Sequence, residues 1–167
     1  MMMPNAKTAQ ITELEPTIGA PKTVLRRTGK KTLRFAGSCL AEATGYQRAA
    51  THWYEIGLYQ RDVGGVVAAI RHFHKSEQQR DRFIAERFET VEAAAAFLET
   101  YQPSIELSVG FDPASPALSA AEVTILAAGL RARQAEYCHS YDAVCGDVLH
   151  AASAHLSGHQ GGAWKVA

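Results

Sequence analysis

The sequence is poor in the features of secreted and membrane-spanning chains. Its 167 residues include three cysteines, Cys39, Cys138 and Cys145, which are too few and too scattered for a disulfide framework. No apolar run reaches the roughly 18 residues of a membrane-spanning helix. The first residues also lack the basic and apolar segments of a secretory signal. We therefore expect a cytoplasmic protein with reduced thiols and no membrane partner.

The chain also lacks net charge, with 17 basic and 17 acidic residues, but the charges are unevenly distributed. Residues 1–50 carry eight basic and three acidic side chains, and the rest of the chain is net acidic. The basic excess lies mainly in Lys22, Arg26, Arg27, Lys30, Lys31 and Arg34. Such a cluster attracts nucleic acid or an acidic surface. A solvated arm without a partner is the alternative interpretation.

Proline is absent between residues 22 and 102, and its distribution predicts the organisation of the chain. Three prolines lie in residues 1–30, and the other three lie in residues 103–116. The predicted segments are a flexible basic arm (1–30), a ββββα domain (31–102), a Pro-rich linker (103–118), a helical segment (119–157) and a flexible tail (158–167).

Alternation of apolar and polar residues predicts four strands, at residues 31–43, 52–60, 66–75 and 82–88. The last of these is also compatible with a helix. We expect a bulge at Gly37–Ser38, a turn with positive φ at Gly64–Gly65 and a helix capped by Thr90. The predicted fold class is α+β, a four-stranded antiparallel β-meander followed by a packing helix, then a linker and a long C-terminal helix or helical hairpin.

The C-terminal segment begins with a Ser119–Glu122 capping box ahead of a near-heptad apolar stripe. The stripe comprises Val123, Leu126, Leu130, Tyr137, Tyr141, Val144 and Val148. Gly129 and Gly146 lower helix propensity, so one long helix and two shorter helices both remain open. Because an isolated helix cannot bury its own stripe, we predict packing on the sheet and a homo-oligomer formed through this helix.

The two faces of the predicted sheet differ in chemistry. Alternation places the aliphatic residues Ile56, Leu58, Val66 and Ile70 beneath the helix. The opposite face then carries aromatic and basic side chains, joined by Phe83 and Arg87 if the fourth strand is in phase. An exposed surface of this kind binds single-stranded nucleic acid by base stacking and phosphate contact. The predicted stacking residues are Trp53, Tyr59 and Phe73, and the predicted phosphate contacts are Arg71, Lys75, Arg34, Arg26, Arg27, Lys30 and Lys31.

The order of these elements is similar to that of the Whirly and transcriptional-coactivator single-strand binders. This resemblance is one of element order alone, so it implies no site residue. The alternative is a protein-interaction module, such as an inhibitor, adaptor or assembly subunit. In that interpretation the aromatic residues form a second core or an interface, beneath the C-terminal helix or a second subunit.

Other candidate chemistry is sparse. His72 and His74 form an H-x-H pair that His52 could join, as in metal sites, but the neighbouring sequence offers no carboxylate or cysteine ligand. We interpret them as histidines at the edge of a core, and Cys138 and Cys145 as buried small side chains. No phosphate-binding loop, nucleophile elbow or zinc-protease motif is present. We therefore expect no metal, no cofactor and no enzymatic activity.

Overall fold

The computed structural model describes residues 22–160, which form an α+β structure. The strands are β1 (Lys22–Leu25), β2 (Leu33–Thr44), β3 (His52–Arg61), β4 (Val66–His74) and β5 (Arg82–Phe88). They are followed by helix α1 (Val91–Thr100), a 3₁₀ turn (Pro103–Glu106) and helix α2 (Ala120–Gln160). Neighbouring strands are antiparallel and lie in chain order, which confirms the meander.

The described sheet has five strands, so the prediction of four was wrong. Strand β1 lies within the residues assigned to a flexible arm and pairs with the start of β2, Leu25 opposite Leu33. Alternation missed this strand because only four residues form it, and two adjacent ones, Val24 and Leu25, are large and apolar. The remainder of the predicted arm, residues 1–21, lies outside the described residues, as does the predicted tail beyond residue 160.

The sheet curls into a half-barrel, and the β1–β2 loop lies against β5. The Thr28 N–H donates to the Phe83 carbonyl at 2.8 Å, and the Phe83 N–H donates to the Thr28 hydroxyl at 2.9 Å. A bulge between Cys39 and Ala41 accompanies this curvature, rather than the bulge predicted at Gly37–Ser38.

The main core lies between the sheet and the two helices. Its strand side contains the predicted aliphatic set of Ile56, Leu58, Val66 and Ile70, all almost fully buried. Helix α1 begins as expected, because the Thr90 hydroxyl accepts from the Ala93 N–H at 3.2 Å. Its buried residues, Ala94 and Leu98, pack on this set.

Helix α2 is one continuous helix of 41 residues, roughly 60 Å long, and not a hairpin. The apolar stripe divides along its length, because Tyr137, Tyr141, Val144 and Val148 are buried, whereas residues 120–136 are mostly exposed. None of the described helices is both long and apolar enough to cross a membrane.

A second, smaller core fills the inside of the curl, on the face opposite the helices. It consists of Leu25, Leu33, Phe35, Tyr59, Val67, Ala69 and Ala85. The β1–β2 hairpin covers the end of this face where the second core lies, whereas the end near the start of β3 stays partly open. This division determines which of the predicted site residues are accessible.

Candidate functional site

A row of four aromatic rings crosses the open end of the face opposite the helices. Trp53 and Phe73 stack with ring centroids 5.3 Å apart, and Phe83 contacts Phe73 edge-on at 5.6 Å. Tyr46, from the loop after β2, lies edge-on to Trp53 at 5.0 Å. The register explains the alignment, because Trp53 is paired with Phe73, and Arg71 with Phe83. The prediction that Phe83 in the last strand lies on the same face of the sheet as Trp53 and Phe73 is therefore correct.

The row is partly accessible and ends at a cation. Tyr46 is 58% exposed, and Trp53, Phe73 and Phe83 are half-buried. The guanidinium of Arg26 lies over the Phe83 ring, 4.7 Å from its centroid, in a cation–π contact. Aromatic rings with an adjoining guanidinium are the groups on which unpaired bases stack.

Tyr59, a predicted stacking residue, is instead part of the second core. Its side chain is 7% exposed, and its ring meets Phe35 edge-on at 6.0 Å. Burial and the nearby Glu42 carboxylate raise the pKa of the Tyr59 hydroxyl to about 12. A base cannot stack on this ring, so the expected role of Tyr59 is corrected. Alternation placed it on the right face but could not show that the β1–β2 hairpin covers it.

The β1–β2 loop presents most of the predicted phosphate-binding residues as part of an ordered element. The Arg27 Nε donates to the Lys31 carbonyl at 2.7 Å, and Lys30 pairs with Glu86 at 2.6 Å. A cavity of about 430 Å³ beside this loop is lined by Arg27, Arg34, Arg87 and Glu86, among others. Lys31 is exposed. The structure thus brings Arg26, Arg27, Lys30, Lys31 and Arg34 to one end of the sheet and adds Arg87.

Two predicted phosphate contacts lie elsewhere and are already engaged. The guanidinium of Arg71 pairs with Glu42 and with Glu55, the latter at 3.3 Å. Two carboxylates surround this single cation, so the surface beside Trp53 is not electropositive. The Lys75 ammonium donates to the Arg48 carbonyl at 3.1 Å and is exposed. Neither residue belongs to the basic cluster at the β1–β2 loop.

Sequence reasoning missed Tyr46 as a site residue. It lies after the end of β2, in a loop where alternation assigns no face. Its Tyr-Gln-Arg context, with Arg48 two residues further on, is the only sequence signal that could have drawn attention to it. Glu42 and Glu55 were also missed, because their pairing with Arg71 depends on the register of three strands.

A second cluster of polar side chains lies on the helix-facing side of the sheet. His72 is fully buried, and its Nε2 lies 3.2 Å from the Nδ1 of His52. The His72 Nδ1 contacts the carboxylate of Glu106, from the 3₁₀ turn. His74 completes the trio, with its Nε2 3.3 Å from the Tyr137 hydroxyl. The three rings are 4.1–6.3 Å apart between centroids, as their register on adjacent strands requires.

This cluster has carboxylate partners that the sequence did not reveal, since Glu106 follows Pro103 in the segment assigned to a linker. Even so, no group of three or more histidine, cysteine or acidic side chains within residues 22–160 has the arrangement of a metal site. Burial lowers the pKa of His52 and of His74, and repulsion from His72 adds to the effect in both. Both imidazoles are therefore neutral at pH 7.

In comparisons with known proteins, no family model, no curated protein and no solved structure matches this chain.

Proposed function

We propose that this protein is a non-enzymatic binder of single-stranded nucleic acid. The observation that carries the proposal is the continuous aromatic row from Tyr46 to Phe83, which ends at Arg26 and the basic β1–β2 loop. Bases stack at the Tyr46 and Trp53 end, and phosphates bind at the loop. The acidic residues around Arg71 keep the sugar–phosphate chain away from the middle of the row.

The first test concerns stacking. Tyr46 is exposed, so Tyr46→Ala leaves the cores intact, whereas Trp53→Ala also removes a half-buried ring from Phe73. We expect Tyr46→Ala to weaken binding of a mixed-sequence single-stranded oligonucleotide by a factor of about 5 to 150, equivalent to roughly 1–3 kcal/mol for one stacked base. Fluorescence anisotropy measures this change. Unaltered affinity would exclude Tyr46 from the site.

The second test concerns phosphate contact, through the dependence of affinity on salt. Neutralising Arg26 and Arg27 together, as Arg26→Gln with Arg27→Gln, should reduce the log–log salt slope by about 1.4, since each phosphate contact to a single strand contributes roughly 0.7. The control is Arg131→Gln, which neutralises an exposed residue on α2 outside the aromatic row and the basic loop. An equal reduction for each neutralised residue in the control would contradict the proposed location.

A second candidate function, assembly through α2, is favoured by the exposed half of that helix. Ile125 is 70% exposed and Leu126 is 40% exposed, within residues 120–136, most of which are exposed. We propose that this half pairs in antiparallel fashion with a second copy. In such a pair Glu122 of one chain approaches Arg133 of the other, and the apolar residues of the stripe meet between the two helices.

Analytical ultracentrifugation of the full chain tests this assembly. We expect a dimer that Leu126→Glu converts to a monomer, because a charge in the centre of an apolar seam is not compensated. Ala128→Glu is the matched control, since Ala128 is exposed and lies nearly opposite Leu126 around the helix. A wild-type chain that stays monomeric at the highest attainable concentration would disprove the assembly without affecting the nucleic-acid proposal.

A further inference from the structure

An apolar groove of about 350 Å³ lies between α1 and the last part of α2. It reaches the main core, because Leu58 and Ala152, which are both buried members of that core, are among its lining residues. Val91 and Leu149 line it as half-buried residues, and Leu156 lines it with 40% of its surface exposed. An apolar side chain placed in this groove would therefore extend the main core.

The α1 side of the groove is acidic. Glu92, Ala95 and Glu99 line it, and their spacings of three and four residues place them on one face of the helix. Both glutamates are exposed. The α2 side contributes Ser153 and Ser157, and no lysine or arginine is among the lining residues that belong to the described part of the chain. The groove therefore suits an apolar group that has a cation beside it.

The groove runs toward the end of α2. The Tyr141 hydroxyl donates to the Leu98 carbonyl at 2.7 Å, and from this contact the lining residues extend toward the start of α1 and the end of α2. Glu92 therefore lies at the same end of the groove as Leu156, which is about 6 Å of helix before α2 ends. Residues 161–167, which lie outside the described residues, follow directly in the chain.

The segment that follows α2 matches the groove in length and chemistry. Its sequence is Gly-Gly-Ala-Trp-Lys-Val-Ala, and the two glycines can adopt the positive φ of a chain reversal. In an extended chain, Trp164 and Val166 lie on one side and Lys165 lies on the other. Four residues separate the end of α2 from Trp164, and they span up to about 13 Å. The indole ring can therefore return as far as Leu156.

We propose that residues 161–167 fold back and dock in this groove of their own chain. Trp164 fills the apolar part beside Leu156, and Lys165 pairs with Glu92 at the acidic side. An indole ring removes a large apolar area from water, and its tether keeps its local concentration at the groove high. The docked segment holds the end of α2 against α1. The groove lies on the helix side of the sheet, so this inference does not depend on the proposed nucleic-acid site.

The fluorescence of Trp164 tests the docking in the full chain, in a Trp53→Phe background that removes the other indole. We expect a blue-shifted emission maximum that moves to the red when urea unfolds the protein. Ala95→Arg should cause the same red shift in the folded protein, because a long cationic side chain then occupies the groove and repels the lysine. Ala96→Arg is the matched control, since Ala96 is exposed on the same helix and does not line the groove. Circular dichroism shows whether both variants fold.

Charge reversal tests the ion pair, and it decides the proposal if Ala95→Arg does not fold. We expect Lys165→Glu to lower the ratio of docked to undocked chains by about two- to fivefold, as for the loss of a surface ion pair. Addition of Glu92→Lys should reverse the accompanying red shift. Addition of Glu77→Lys, which changes an exposed residue between β4 and β5, should not reverse it.

Any of three outcomes would overturn the proposal. The first is an emission maximum of Trp164 that is the same in the folded and the unfolded chain, because the ring is then exposed throughout. The second is the same emission maximum in Ala95→Arg and Ala96→Arg, or an equal effect of Glu92→Lys and Glu77→Lys. The third is a blue shift that grows with protein concentration, which would mean that the segment of a second copy fills the groove.

Discussion

At the scale of the residue, two buried tyrosines show that the surroundings of a hydroxyl group decide whether it stabilises the fold. Tyr141 and Tyr54 are both almost fully buried, and their rings meet edge-on at 5.3 Å. The Tyr141 hydroxyl donates to the Leu98 carbonyl at 2.7 Å, which joins α2 to α1. The Tyr54 hydroxyl has no hydrogen-bond partner within residues 22–160. Burial raises the pKa of both groups.

Removal of each hydroxyl should therefore have a different result. We expect Tyr141→Phe to lower the free energy of unfolding by about 0.5–1.5 kcal/mol, because it removes a buried hydrogen bond and leaves the Leu98 carbonyl with only the Tyr101 N–H, at 3.4 Å. Tyr54→Phe should be neutral or stabilising, since it removes a polar atom that is buried without a partner. Urea unfolding followed by circular dichroism measures both changes. A larger loss in Tyr54→Phe than in Tyr141→Phe would contradict this account.

At the scale of the element, one glycine in α2 and one in β2 differ in whether the structure has room for a side chain. Gly146 is exposed on α2, and a Cβ added there would meet no atom within 4 Å. The helix continues through this position because nothing in the tertiary structure requires a break. Gly37 in β2 is different, because a Cβ there would overlap the Gln60 carbonyl oxygen and lie 3.0 Å from the Arg61 Cα. The sequence alone suggested a bulge at Gly37 and a possible break at Gly146.

We expect the two alanine substitutions to change stability in opposite directions. Gly146→Ala should raise the free energy of unfolding by about 0.5–1 kcal/mol through higher helix propensity. Gly37→Ala should lower it by about 1–3 kcal/mol, because the β2 and β3 backbones must move apart. Thermal and urea unfolding of the two variants provide the measurement. Equal stability of Gly37→Ala and the wild-type protein would show that the strands are not held this close.

At the scale of the whole molecule, His52 and His74 link stability to pH. Burial is the main reason that the pKa values of His52 and His74 lie below the ordinary value of 6.5, and repulsion from His72 is the second. The unfolded chain then binds protons at a higher pH than the folded one. This contribution to stability is complete above about pH 6.5 and is lost as the pH falls toward the folded pKa values.

The expected result is a decrease in the urea midpoint between pH 7.5 and 5.5, with about 1.4 kcal/mol lost for each unit by which a pKa is lowered. His74→Gln should flatten this pH dependence, whatever its effect on stability at pH 7.5. His150→Gln, which changes an exposed histidine on α2, should leave the slope unaltered. A pH profile that is the same in His74→Gln and the wild-type protein would exclude His74 as a source of the dependence.

The sequence by itself determined most of the local structure. The apolar alternation of β3 and β4, the Thr90 cap and the Ser119–Glu122 capping box depend on contacts between residues close in the chain. All of these are present in the structure. The positive φ of Gly64 and Gly65 was equally predictable, because a tight turn needs residues without a Cβ.

The tertiary structure decided which surfaces are open and which polar groups meet. Alternation placed Tyr59 and Trp53 on one face, but only the curl of the sheet and the β1–β2 hairpin separate a buried ring from an accessible one. The contact of Glu106 with His72 joins residues 34 positions apart. The physical reason is the same in both cases: periodicity is a local property of the chain, whereas burial and pairing depend on which distant segments the closed fold brings together.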